Sequence, residues 1–141
     1  MIEVYNLQRK VSIETEALRR FADRLASLVT EARGHTFSIA MVSDRRIREL
    51  NNLFRRKDTA TDVLSFPQKA EPFEPDTLNL GDIVVSLETA QRQATENDLD
   101  LLRETKQLIL HGLLHLCGYD HERDNGEMNE RELELRKKLK I

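Results

Sequence analysis

Apolar and polar side chains alternate from Ile2 to Leu7, the pattern of a strand with one buried face. The period then lengthens: Leu18, Phe21, Leu25 and Leu28 recur at helical spacing between Glu14 and Ala32, with Gly34 just beyond, which predicts a first helix over 14–32. Phe37, Ile39 and Met41 return to period two and predict a strand running to Ser43. Ser43 or Asp44 can cap a following helix whose inner stripe is Ile47, Leu50, Leu53 and Phe54. Val63 to Phe66, closed by Pro67, and Gly81 to Ser86 read as two further short strands. The segment between them, Lys69 to Asn79, carries prolines and acids and reads as a surface loop.

The C-terminal half is helical. Ser86 can cap a helix to about Glu96, and Asp98 or Asp100 can open another that reaches Cys117. Leu101, Leu102, Leu108, Ile109, Leu110, Leu113, Leu114 and Leu116 cover most of the circumference of that second helix, so it is expected to be buried at the centre of the fold. A last helix is expected from about Asn125 to Leu139. The order β-α-β-α-β-β-α-α-α predicts an α/β (α+β) domain spanning residues 1–141. A small mixed sheet would be packed with helices around the buried central one.

At 141 residues one core suffices, and a domain of this size buries about two-thirds of its unfolded surface, so a metal is not needed merely to hold it together. A single Cys excludes an internal disulfide and fits a reducing compartment. The N-terminus lacks the basic and apolar regions of a signal peptide, and no apolar run is long enough to span a bilayer. The expectation is a cytoplasmic protein with no membrane and no disulfide-linked partner. Net charge is −3, too acidic for coating nucleic acid by bulk attraction. The distribution is uneven: Arg45, Arg46, Arg48, Arg55, Arg56 and Lys57 face one acid, Glu49, within thirteen residues. Such a local patch can hold a polyanion.

Three of the four histidines fall within HGLLHLCGYDH, from His111 to His121. His111 and His115 are i and i+4 on the predicted central helix, with Cβ atoms ~6 Å apart, a spacing that lets both imidazoles reach one ion. Were the helix to continue, His121 would lie about 240° round the axis from His115 and ~9 Å further along. Gly118 is where the chain can turn back, because glycine ends a helix in a left-handed conformation without a Cβ penalty. Three protein ligands leave a fourth position open, the mark of a catalytic rather than a structural zinc. His35, after Gly34, reads as an exposed turn residue, and Cys117 as core.

The spacing H-x-x-x-H-x-x-G-x-x-H is also that of the metzincin zinc proteases, which carry a Glu general base after the first His. Here that position is Gly112, which argues hydrolysis without a peptidase's proton acceptor.

Together with RRKDTATDVLSFP (Arg55 to Pro67) and LGDIVVS (Leu80 to Ser86), the histidine segment closely resembles the YbeY family. These are bacterial single-strand-specific metallo-endoribonucleases of rRNA maturation and ribosome quality control. The resemblance covers nearly the whole chain, from the strand-helix opening to the acidic helix after the last His. It implies one zinc per chain on His111, His115 and His121, and a functionally important arginine at Arg55. It also implies single-stranded RNA as substrate, with processing of the small-subunit rRNA 3′ end, and the small ribosomal subunit and its assembly factors as partners. Gln107 departs from the pattern, since many members have a further, non-ligating His there.

In this reading Arg55 and the ligand His111 are the catalytic residues. Arg45, Arg46, Arg48, Arg55 and Lys57 bind the RNA. Asp120 is expected to orient a ligand, and a salt bridge to Asp58 is the non-catalytic role open to Arg55. Two alternatives stand beside it: a metzincin-like protease, and a ribosome-assembly binding protein whose zinc is structural.

Overall fold

Residues 2–68 and 78–141 are described by the structure, a computed structural model. Strands β1 (Glu3–Asn6), β2 (Thr36–Val42), β3 (Val63–Pro67) and β4 (Asn79–Ser86) form one mixed sheet in the order β1-β2-β4-β3. The first two pairings are parallel, and β3 runs antiparallel along β4 as an edge strand. Helices α1 (Thr15–Leu28), α2 (Asp44–Arg55), α3 (Leu87–Glu96), α4 (Leu101–Leu116) and α5 (Glu127–Leu139) surround it. The α+β architecture expected from the sequence is therefore the observed one. Most of the predicted surface loop, residues 69–77, lies outside the described residues.

Strand periodicity divides the side chains between two cores. Phe37, Ile39 and Met41 of β2 and Ile83 and Val85 of β4 enter the larger core with α1, α4 and α5. Val42, Leu64 and Val84 point the other way and close over Ile47 of α2. At the centre of the larger core lies α4, where Ile109, Leu110, Leu113 and Leu114 are fully buried. Burying one such side chain contributes roughly 1.5–3 kcal/mol, so this helix is fixed by its packing and its histidines inherit that rigidity. Side chains close the helix starts: Ser43 Oγ accepts from Arg46 N, Ser86 Oγ from Thr89 N, and an Asp100 carboxylate oxygen from Arg103 N.

Three local expectations change. The first helix ends at Leu28; Val29 is extended and fully buried, and a short 3-10 turn, Thr30–Ala32, follows. Adjacent β-branched residues, Val29 and Thr30, are poor helix formers, which favours a break there. On α2, Leu53 sits about 120° off the Ile47 stripe and is 73% exposed. Phe54 shares that stripe but lies on the last turn. Its ring leans edge-on against Phe66 of the edge strand (centroids 5.2 Å) and stays 61% exposed. The last helix opens at Glu127 rather than Asn125.

Candidate metal centre

Helix α4 ends in a Schellman turn: Gly118 N donates to the His115 carbonyl at 3.0 Å and Tyr119 N to the Leu114 carbonyl at 3.1 Å. Gly118 takes φ +101°, as the sequence reading required. A Cβ there would meet nothing within 4 Å, so the demand for glycine is conformational and not steric. Beyond the turn the chain doubles back and sets His121 beside the helical pair. Imidazole centroids are 4.9 Å apart for His111–His115, 5.6 Å for His111–His121 and 5.3 Å for His115–His121. One ligand nitrogen from each lies within 4.8 Å of the others.

Two of the rings are oriented for ligation. His111 Nδ1 donates to Glu132 Oε1 at 3.1 Å, and His115 Nδ1 donates to the Tyr119 carbonyl at 3.0 Å. With Nδ1 committed to an acceptor, each ring carries its free lone pair on Nε2, the arrangement that fixes a metal-binding tautomer. Burial and the two neighbouring imidazoles push His115 below its ordinary pKa, which favours the neutral form a metal needs. Burial alone would raise the Glu132 carboxyl; the His111 hydrogen bond and the Arg136 charge outweigh it and hold Glu132 below the usual carboxylate range. The donor set therefore fits a divalent ion of the zinc type.

A second tier steadies the turn. Tyr119 Oη donates to Glu31 Oε2 at 2.9 Å, and Arg131 clamps Glu31 through Nε at 3.0 Å and a terminal nitrogen at 2.8 Å. This links α5 and the 3-10 turn after α1 to the residue that orients His115. Glu31 stands at that point only because the first helix breaks at Val29. The Arg131 fork holds its carboxyl down to about 2.

The histidines open into a cavity of about 610 Å³ that is also lined by Arg55, Asp62, Ser65 and Asp120. Among the predicted RNA-binding cations, Arg55 alone lines it. Asp58 is taken by Arg48 (2.9 and 3.2 Å), and among the described residues Arg55 has no ion-pair partner. Arg45 and Arg46 share Glu49 on the exposed face of α2. The carboxylate of Asp120 accepts from Glu122 N and pairs loosely with Arg123. It braces the loop, and the orienting role expected of it falls to Glu132. His35 is half-buried, its Nδ1 donating to the Arg33 carbonyl. Burial pushes the Cys117 thiol up to about 11, as a core cysteine requires.

Gly112 explains the absence of the protease's glutamate. It is the contact point of α4 on the sheet: a Cβ would come 2.7 Å from Ile83 Cγ2 and 3.2 Å from Ser65 Oγ. Ser65 Oγ also donates to the Gly112 carbonyl at 2.9 Å. No carboxylate fits at that position.

The family model described as Endoribonuclease YbeY matches residues 3–140. The chain belongs to the YbeY endoribonuclease family. An Endoribonuclease YbeY of Pelotomaculum thermopropionicum is 43% identical over 98% of this chain and 92% of its own length. One from Koribacter versatilis is 43% identical over 96% and 84%, and one from Aquifex aeolicus 42% identical over 89% and 83%. The solution structure of a Thermotoga maritima protein superposes with a TM-score of 0.65 at 30% identity, covering 95% of this chain and 85% of that one. Glu132, Glu31 and Arg131 are functional residues that local sequence spacing does not mark. The available signal was a helix following the metal motif whose acids are not all on its solvent face.

Proposed function

We propose that this chain is a zinc-dependent, single-strand-specific endoribonuclease of the cytoplasm that matures rRNA at the small-subunit 3′ end. It would take part in ribosome quality control beside the small subunit and its assembly factors. The family membership supports the RNA-cleaving activity. The rRNA target and the ribosomal partners rest on the resemblance, and the compartment on the sparse cysteine usage of the sequence. One observation carries the chemistry: three converging imidazoles share a cavity with an arginine that has no ion-pair partner among the described residues.

In this reading His111, His115 and His121 hold one zinc per chain. A zinc in such a site supplies a water acidified to near neutrality and a Lewis acid for a phosphate oxygen. The chain does the rest. Glu132 and the Tyr119 carbonyl keep the His111 and His115 lone pairs aimed inward. Arg55 offers its planar fork to the scissile phosphodiester, where it orients the ground state and meets charge that grows on the phosphoryl oxygens. The exposed cations Arg45, Arg46, Arg48 and Lys57 track the RNA backbone outside the cavity.

The test pairs element-resolved metal content with cleavage of single-stranded RNA and of casein, for the native protein and a His111→Ala variant. The expected outcome is about one zinc per chain, RNA cut and casein intact, with both metal and activity lost in the variant. Ribosome co-sedimentation without any cleavage would instead favour an assembly factor with a structural zinc.

A further inference from the structure

Behind His111 lies a second cavity, of about 560 Å³, that meets the first at His111 and Asp62. Its walls include the carboxamides of Gln93, Asn97 and Gln107, with Glu104 and Arg136. Glu104, Gln107 and His111 follow one another on one stripe of α4, at i, i+3 and i+7. Glu104 thus sits two turns, ~10 Å, up the helix from the first histidine of the metal centre.

Glu104 is anomalous. It is 4% exposed, yet among the described residues it has no cationic partner, and its side chain accepts a single long hydrogen bond, 3.4 Å from Asn97 Nδ2. Acids this buried are ordinarily paired. The N-terminal turn of α4 favours a negative charge there, but that effect is small beside the desolvation of a carboxylate. Arg136 lines the same cavity; among the described residues its Nε is shut away from solvent without an acceptor, while its terminal nitrogen leans on Glu132 at 3.5 Å. An under-used acceptor therefore lines a polar chamber that is continuous with the metal centre and has the Arg136 guanidinium in its wall.

Resting on the endoribonuclease reading, we propose that this cavity is a nucleobase subsite for guanine, flanking the scissile phosphate, with Glu104 as its specificity-determining residue. A carboxylate accepts two parallel N–H bonds. Guanine's Watson–Crick edge presents N1–H and an exocyclic amino group side by side, with a carbonyl oxygen next to them to meet a guanidinium donor. Uracil offers a single N–H flanked on both sides by carbonyl oxygens that repel the carboxylate. Adenine and cytosine each offer one amino donor beside an acceptor, which the carboxylate repels. The carboxamides suit the remaining edges of a base that has left the stack, the usual target of sequence-specific RNA readers. Gln107, which departs from the family's common His, belongs to this wall; its Nε2 donates to the Ile141 carbonyl at 3.0 Å, which leaves its side-chain oxygen for a base edge.

The test uses the zinc-loaded enzyme and short single-stranded RNAs that differ at one nucleotide beside a fixed scissile bond: guanine, inosine (which lacks the amino group), adenine or uracil. Binding of guanosine and adenosine monophosphates is measured in parallel. The expected result is cleavage of the guanine substrate at least ~10-fold more efficiently than the others, the scale of a lost hydrogen bond to a charged group. Guanosine monophosphate should bind correspondingly tighter. In Glu104→Gln the guanine advantage should vanish in both measurements, with zinc content and melting temperature unchanged. If that variant does not fold, the guanine-to-inosine comparison on the native enzyme decides the matter alone. Equal cleavage of all four substrates, or an unchanged guanine preference in a folded Glu104→Gln, overturns the subsite. Cleavage of none of them overturns the endoribonuclease reading instead.

Discussion

The histidine turn and the basic end of α2 both advertise themselves in the sequence, and the structure treats them in opposite ways. Around the turn, side-chain orientation is over-determined. His111 answers to Glu132, His115 to Tyr119, and Tyr119 in turn to Glu31 and Arg131. Along α2 the cations stand in solvent, with Arg45 90% exposed, and three of them are partly spent on Glu49 and Asp58. Preorganised groups in a cavity contribute to a transition state, whereas exposed charges on flexible stems contribute mainly to encounter. Arg55 belongs by sequence to the second region and by position to the first.

That dual membership gives the sharpest test. Arg55→Lys keeps the charge and loses the fork, so turnover on single-stranded RNA should fall on the order of 100-fold, the scale of one preorganised donor, while zinc content stays native. A native turnover number, with only a salt-sensitive loss of affinity, would return Arg55 to the solvated group.

Glu132 tests the other side of the comparison. Replacing it with Gln leaves an acceptor for His111 Nδ1 but removes the charge, and partners of this kind typically contribute 10–100-fold in metal affinity. Chelator competition should show a loss in that range. Equal zinc affinity in Glu132→Gln would mean that the ring is held by packing on α4 alone.

How far the site was legible follows from the same contrast. His111, His115, Gly118 and His121 lie within eleven residues, where helical geometry and one glycine dictate the arrangement. Glu132 and Glu31 are separated from the histidines they support by 21 residues and by more than 80. Their partnership is a product of tertiary packing, and nothing in local spacing marks it. Val29 illustrates the limit: hydrophobic periodicity runs straight through it, yet the helix breaks there and so carries Glu31 to Arg131. Phe54 shows another, since the angular pattern is right but its ring on the last turn meets the edge strand at Phe66 and stays largely exposed. The fold order was readable because the switch between period two and period 3.6 survives in almost every element.

The Glu31–Arg131 clamp should also register in acid stability. Arg131 lowers the Glu31 carboxyl from 4.5 to about 2. A depressed carboxylate contributes stability that is present above its unfolded pKa and is lost as pH falls through the folded value. The native protein should therefore lose roughly 2–3 kcal/mol from this pair between about pH 5 and pH 2. Glu31→Gln should be less stable near neutrality by a similar amount and show a flatter acid limb in urea melts. Parallel acid limbs for the two proteins would show that the clamp contributes little.

The smallest effect is expected from the exposed cations, and its smallness is informative. Neutralising a lysine or arginine that contacts a single-strand phosphate changes the slope of log affinity against log salt by about 0.7. Lys57 has no ion-pair partner among the described residues and should give close to the full increment. Arg45, Arg46 and Arg48 already share acids, so each should give less: removing one also frees Glu49 or Asp58 to repel the strand. Uniform binding of this kind lowers KM without changing the chemical barrier, so turnover at saturating RNA should be native in all four variants. A loss of saturated turnover in Arg48→Gln would mean that the Arg48–Asp58 pair positions the loop before β3, and with it Arg55. The boundary between the two regions would then run through α2 rather than at its end.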